Sequence, residues 1–193
     1  RVSAAGLPQN LRWYLVGIGL VAAGYADFSL LAYHFARTQV ASQEAIPLLY
    51  ALAMASDAGA AILFGRWFDR IGLRALVCAT ILAAGFAPLA FLGGSPAVVL
   101  ATVLWGVGIG VQESILRAAV AEMVSRDRRA SAYGLFNATF GVCWFAGSAA
   151  MGILYGINPV LLVAFSLPVQ LTAVPFFLAA GRKPSEAGAG HSA

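Results

Sequence analysis

Charge is what this sequence has least of. Only 10% of its 193 residues are charged, and one of the twelve cations is a lysine, against about 25% charged residues in an ordinary soluble domain. That shortage excludes a water-soluble enzyme, a disordered tail and a nucleic-acid arm. Cysteine is also scarce. Cys78 and Cys143 both lie inside apolar runs and are expected to be buried free thiols, since two soft ligands with no nearby His make no tetrahedral metal site. Histidine is confined to His34 and His191. No metal site and no cofactor is expected. The absence of a glycine-rich phosphate loop argues against ATP-driven chemistry within this chain, and no signal-peptide pattern opens it.

What the sequence has in abundance is apolar residues, 61% of the total, with a mean hydropathy of +0.83. They fall into six runs, near 13–35, 47–66, 75–92, 97–124, 130–155 and 159–180. A bilayer demands about 20 apolar residues per helical span. Lipid supplies no hydrogen-bond partners, so a spanning backbone must satisfy itself, and runs of this length are too long for barrel strands. The expectation is an all-α integral membrane protein with six transmembrane helices over 12–180. Pro88, Pro168 and Pro175 fall inside the third and sixth runs, where membranes tolerate them as kinks. Residues 1–11 are polar and read as a linker within a longer chain; 181–193 read as a disordered tail.

The cations fix an expected orientation. With six spans, Arg1, Arg12, Arg66, Arg70, Arg74, Arg117, Arg126, Arg128, Arg129, Arg182 and Lys183 fall on one side and Arg37 on the other. Positive charge stays on the cytoplasmic side, which puts both termini there. The net charge of +4 suits the anionic lipid face of a plasma or inner membrane rather than nucleic acid.

Ionisable groups inside a membrane are costly, about 2.5–3.5 kcal/mol each near its centre, and are functional by default. The third and sixth runs carry none, and Gln170 is their only large polar side chain. The first, second and fourth carry Asp27, His34, Asp57, Glu113 and Arg117. At about 1.5 Å per residue, Asp27, Asp57 and Glu113 fall near mid-depth. Gly106, Gly110, Glu113 and Arg117 recur at helical spacing on one face. The glycines allow another helix to approach closely, and Glu113 and Arg117 can pair at four residues' separation. Asp57 sits among small residues and reads either as a polar helix–helix contact or as an ion site. Asp27, beside Tyr25, reads equally as a substrate contact or an interhelical hydrogen bond. Gln112 is open to either use. His34, near the end of its run, is expected to be solvated. Tyr133, Asn137, Trp144 and Ser148 form a polar-aromatic stripe on the fifth run.

The turn between the second and third runs reads Gly65-Arg-Trp-Phe-Asp69-Arg70-Ile-Gly72-Leu-Arg74. It resembles the loop signature of the major facilitator superfamily, G-x-L-A-D-R-x-G-R-K. Gly65, Asp69, Arg70 and Gly72 match, and Arg74 supplies the final cation. Trp67, Phe68 and Leu73 depart from the pattern. Its place between the second and third spans, on the basic side, is where the family carries it. Ser125–Gly134 is similar to the family's link into its eleventh helix. The resemblance covers 12–180 and looks like helices seven to twelve. It implies a six-helix half with a 3+3 inverted repeat, working as the C-terminal half of a permease that moves a small solute by alternating access, driven either by a proton or cation gradient or by the substrate alone. It also implies an N-terminal six-helix half as partner. Asp27, Asp57, Glu113, Gln112, Tyr25 and Asn137 would then line the substrate or ion path, with Arg117 as charge partner. Gly65, Asp69, Arg70, Gly72 and Arg74 would form a gating loop, with Gly65 packed closely, Gly72 turning and Asp69 accepting bonds from the start of the fifth helix.

Two other readings compete with this one. A membrane-embedded transferase for CDP-linked lipids needs D-G-x2-A-R and G-x3-D-x3-D, but Ala58 follows Asp57 and Leu73 replaces the last carboxylate, so metal-assisted transfer lacks its ligands. A self-contained six-helix protein, working as a homodimeric transporter or channel, is the remaining alternative.

Overall fold

The computed structural model describes residues 8–181. Most of the expected linker, nearly all of the expected tail, and Arg1, Arg182, Lys183 and His191 lie outside the described residues. Six stretches are long and apolar enough to cross a membrane. The first consists of α1 (Gln9–Gly24) and α2 (Phe28–Thr38), the second of α3 (Ala45–Ile71), and the third of α4 (Leu73–Ala84) and α5 (Phe86–Leu92). The fourth is α6 (Ser95–Met123), the fifth α7 (Arg129–Ile157) after a 3-10 turn at Arg126–Arg128, and the sixth α8 (Pro159–Ala180). Short connections make successive spans antiparallel. Helix α1 begins at Gln9, inside the stretch read as linker.

Two spans read as continuous are broken, for different reasons. Proline at 88 has no N–H for the carbonyl four residues earlier and crowds that turn. The third span accordingly breaks at Gly85, whose N–H turns back to the Leu82 carbonyl at 3.3 Å. The first span breaks at Tyr25–Asp27, with Tyr25 and Asp27 extended and no proline present. By contrast Pro168 and Pro175 sit within α8 without ending it. That helix starts on Asn158, whose side chain accepts from the Val160 N–H at 2.8 Å, a cap followed by proline at the first helical position.

Packing between spans relies on small residues, because lipid offers no hydrophobic drive for helices to associate. Helices α3 and α6 run parallel in close contact. A Cβ on Gly106 would overlap the Ala53 backbone, and one on Gly110 the carbonyl of Asp57. Helices α1 and α7 make the matching parallel pair, with Gly147 against the backbone of Ala23 and Gly19 against Cys143. A repeat that exchanges spans one and four, two and five, and three and six maps the first pair onto the second. Helices α4, α5 and α8 pack together across that pseudo-axis. This is the 3+3 arrangement of a six-helix half.

Buried side chains form two layers along the bundle. Tyr14, Ile18, Leu76, Ile115 and Phe177 fill the end where α1 begins. Phe35, Phe86, Trp105, Met151 and Leu162 fill the other. Helices α3 and α7 bury little of their surface within the chain. The cysteines are free, but Cys78 is exposed and Cys143 half-buried, so the expectation of buried thiols fails; Cys78 lies on the outer face of α4, where lipid replaces water as neighbour.

Gly106→Ala is expected to force α3 away from α6 and to cost about 1–3 kcal/mol, as overpacking does, read as a lower Tm in detergent. Val99→Ala, on the exposed side of the same helix, is expected to leave the Tm unchanged.

Candidate functional site

The break in the first span frees backbone groups that lipid cannot satisfy, and three other helices supply partners. The Gly24 carbonyl accepts from Ser166 Oγ at 2.6 Å and Gln170 Nε2 at 3.0 Å, both on α8. The Ala26 carbonyl accepts from Trp105 Nε1 of α6 at 2.8 Å. In return the Tyr25 hydroxyl donates to the Trp105 carbonyl. Asp27 then accepts from α7 on both oxygens, from Trp144 Nε1 at 2.6 Å and Ser148 Oγ at 2.7 Å. Gly24 is required because a Cβ would collide with Gln170 and Ser166.

This arrangement sorts the expected path residues. Asp27 is half-buried with both carboxylate oxygens bonded across helices, which fits the interhelical alternative. Tyr25 is fully buried among the rings of Phe86, Trp105 and Trp144 and faces no open path. Trp105, Ser166 and Gln170 serve the break, although their apolar surroundings hid any role in the sequence.

Beside the break lies a cavity of about 300 Å³ between α6 and α7. Its α6 wall is Ile109, Gln112, Glu113 and Arg117, and its α7 wall is Phe136, Asn137, Phe140 and Trp144. Four of the expected residues (Gln112, Glu113, Arg117 and Asn137) therefore meet. Glu113, Arg117 and Asn137 are exposed on the side where α3 and α7 leave the bundle open. Asp57 is half-buried on α3 beside Gly110, one helical turn from Glu113. On α7, Phe136 and Phe140 stack at 6.0 Å and Phe140 meets Trp144 at 5.2 Å, a ring ladder at spacings of four. Sequence reasoning passed over Phe136 and Phe140; their spacing with Trp144 was the available signal.

At the end where α1 begins, Gly65, Asp69 and Arg70 occupy the last turns of α3. Gly72 turns the chain with φ of 60°, a conformation that favours glycine, and Arg74 starts α4. The open space around Gly65 means that no close packing among the described residues demands it. Asp69 is exposed. The start of α7 is held to α6 instead, by Arg129 Nη2 donating to the Ala121 carbonyl at 3.1 Å and the Tyr133 hydroxyl to the Arg117 carbonyl at 3.1 Å. At the opposite end His34 is only 4% exposed and its Nδ1 lies 3.0 Å from the Tyr155 hydroxyl. The expected solvated histidine is thus a buried one, because the end of α7 covers it. Among the described residues no three His, Cys, Asp or Glu side chains gather to hold a metal ion.

An all-helical six-span membrane bundle with an internal repeat and a polar, aromatic-walled cavity defines a class of integral membrane proteins. Residues 12–192 match the Major Facilitator Superfamily, and the chain belongs to it. Members of that family are transporters of small solutes rather than enzymes. Over 173 residues the chain is 36% identical to an uncharacterized protein of Mycobacterium tuberculosis, covering 90% of this chain and 42% of the relative. The same figures hold for an uncharacterized protein of Mycobacterium bovis. It is 28% identical over 139 residues to the uncharacterized MFS-type transporter YhjO of Bacillus subtilis, covering 71% of this chain and 34% of that protein. The chain thus spans less than half the length of these curated relatives. No solved structure matches it.

The Asp27–Trp144 hydrogen bond is expected to hold α1 to α7. In a double-mutant cycle of Asp27→Ala, which removes the acceptor, and Trp144→Phe, which removes the donor, followed by unfolding in mixed micelles, a coupling of about 0.6–2 kcal/mol is expected. Strict additivity would show that the bond carries no net stability.

Proposed function

We propose that this chain is the C-terminal half of a secondary transporter, moving a small solute by alternating access against a second six-helix half. The observation that carries the reading is the cavity between α6 and α7, with Glu113, Arg117 and Asn137 exposed along its open side. Ionisable groups at that depth cannot face hydrocarbon cheaply, so a water-filled path and a covering partner explain them. Secondary transporters bind substrate near the midplane at the interface of repeated units. Glu113 and Asp57 are the coupling candidates. Asp27 has a different part, anchoring the broken first span to α7.

In this reading the end carrying Arg12, Arg66, Arg70 and Arg74 is cytoplasmic, and the protein resides in the plasma or inner membrane with both termini inside. Asp69, Arg70 and Arg74 project from that end beside the Gly72 turn and gate it against the partner half.

The test is uptake by the full-length protein in proteoliposomes under an imposed ion gradient, across a panel of solutes. Absence of gradient-dependent flux for every solute would sink the reading. Asp69→Asn is expected to lower initial uptake about fivefold or more, the size of a typical conformational coupling, with membrane insertion intact. Glu113→Gln is expected to flatten the pH dependence of uptake; an unaltered profile removes Glu113 from coupling.

A further inference from the structure

Among the described residues, Thr102 Oγ1 and Arg129 Nε are single buried atoms without a partner, whereas Gln112 leaves both polar atoms of its amide unserved. It is only 7% exposed, and neither its Oε1 nor its Nε2 has a hydrogen-bond partner. An unmade pair of hydrogen bonds on a buried amide is a standing cost, normally met by protein, water or ligand. The side chain lies between two spaces. On one side is a void of about 10 Å³ shared with Tyr25, Thr80 and Gln170, near the least volume that holds a single water. On the other is the α6–α7 cavity of about 300 Å³, at the small end of the range for small-molecule sites.

The groups around that amide define a chemistry. Glu113 and Arg117 stand on the same wall, about 6 Å apart along the axis at four residues' rise. A carboxylate and a guanidinium at that spacing suit a ligand bearing both an ammonium and a carboxylate. Gln112 adds one acceptor and one donor, the pair that such a ligand's two ends require. Asn137 offers a second amide from α7. Opposite the charges, Phe140 and Trp144 present ring faces and edges in continuous contact, which favour an aromatic body. A lone organic cation would leave Arg117 unanswered, and a lone anion would leave Glu113 so.

We propose that the α6–α7 cavity binds an aromatic zwitterion, an amino-acid-like molecule with a ring against Phe140 and Trp144 and its charged ends shared among Glu113, Arg117 and the Gln112 amide. This assignment rests on the transporter reading and names its substrate class.

The experiment uses the full-length protein purified in detergent, with thermal stabilisation as readout. The probes are phenylalanine and tryptophan, with 2-phenylethylamine and 3-phenylpropionate as analogues lacking one charge. Phenylalanine or tryptophan is expected to raise the Tm, and the single-charge analogues at equal concentration are not. Gln112→Leu is expected to keep the unliganded Tm or raise it, since no internal bond is lost, and to weaken zwitterion binding about tenfold or more. Equal stabilisation by a single-charge analogue, no response to either amino acid, or unchanged affinity in Gln112→Leu would overturn the assignment. So would a large fall in the unliganded Tm of Gln112→Leu, which would mark the amide as structural. Gradient-dependent flux of another solute without amino-acid binding would reject the substrate class and leave the transporter reading intact. Amino-acid binding without any flux would do the reverse.

Discussion

A bilayer interior contains nothing that can bond a freed backbone group, and that constraint governs how this bundle is put together. The chain interrupts its first span at Tyr25–Asp27, at the depth where the cost is greatest. Helices α6, α7 and α8 each bring a polar side chain to the break, while α5 packs the Phe86 ring against Tyr25. Ser166 and Gln170 take the Gly24 carbonyl, Trp105 the Ala26 carbonyl, and Trp144 and Ser148 the Asp27 carboxylate. The break thereby locates α6, α7 and α8 relative to the first span. With α7 fixed through Trp144, its ring ladder faces α6, and the cavity follows.

The same geometry explains the distribution of glycine. Where two helices must share the space beside a polar contact, one of them gives up its Cβ. Gly24 yields to Gln170, Gly110 to Asp57, and Gly147 to the backbone of Ala23 just ahead of Asp27. Between the first span and α7, polar contact and close approach occur at the same height, while α3 and α6 share the close approach at Gly106 and Gly110. At Gly24 and at Gly147 the missing Cβ brings the helices close enough for the side-chain hydrogen bonds beside it.

Much of this was legible in the residues, and the remainder was hidden for identifiable reasons. The six spans follow from run length alone. Glu113, Arg117 and the two glycines follow from a helical period, which the structure keeps as one face against α3 and the cavity. The break at Tyr25–Asp27 was not read, because an apolar run conceals an interruption that polar groups on other helices sustain; Gly24 and the capping type of Asp27 were the local hints. His34 was misplaced because depth along a run says nothing about what covers its end, and Tyr155 of α7 covers it. Gly65 fits a family pattern, yet among the described residues no neighbour uses its missing Cβ. Gln112 read as ambiguous because adjacent helical positions point about 100° apart, and only packing decides which space an intervening side chain enters.

The exposed wall of the cavity bears on what completes the molecule. Glu113, Arg117 and Asn137 lie open between α3 and α7, the two helices that bury least. Facing lipid, the two charged groups would each cost about 2.5–3.5 kcal/mol, a large share of the 5–15 kcal/mol that stabilises a typical fold. In the proposed assembly the second half covers them. A second copy of this chain, related by a two-fold axis in the bundle face, would bring identical rings and identical charges together, and each Glu113 would need the other copy's Arg117 to avoid repulsion. That pairing would neutralise the groups the cavity holds free. A second half of different sequence, as proposed, would escape that self-cancellation and would leave Glu113 and Arg117 for a ligand. The unserved Gln112 amide is consistent with the proposed ligand, since it lies on the inner side of the cavity, away from the open wall.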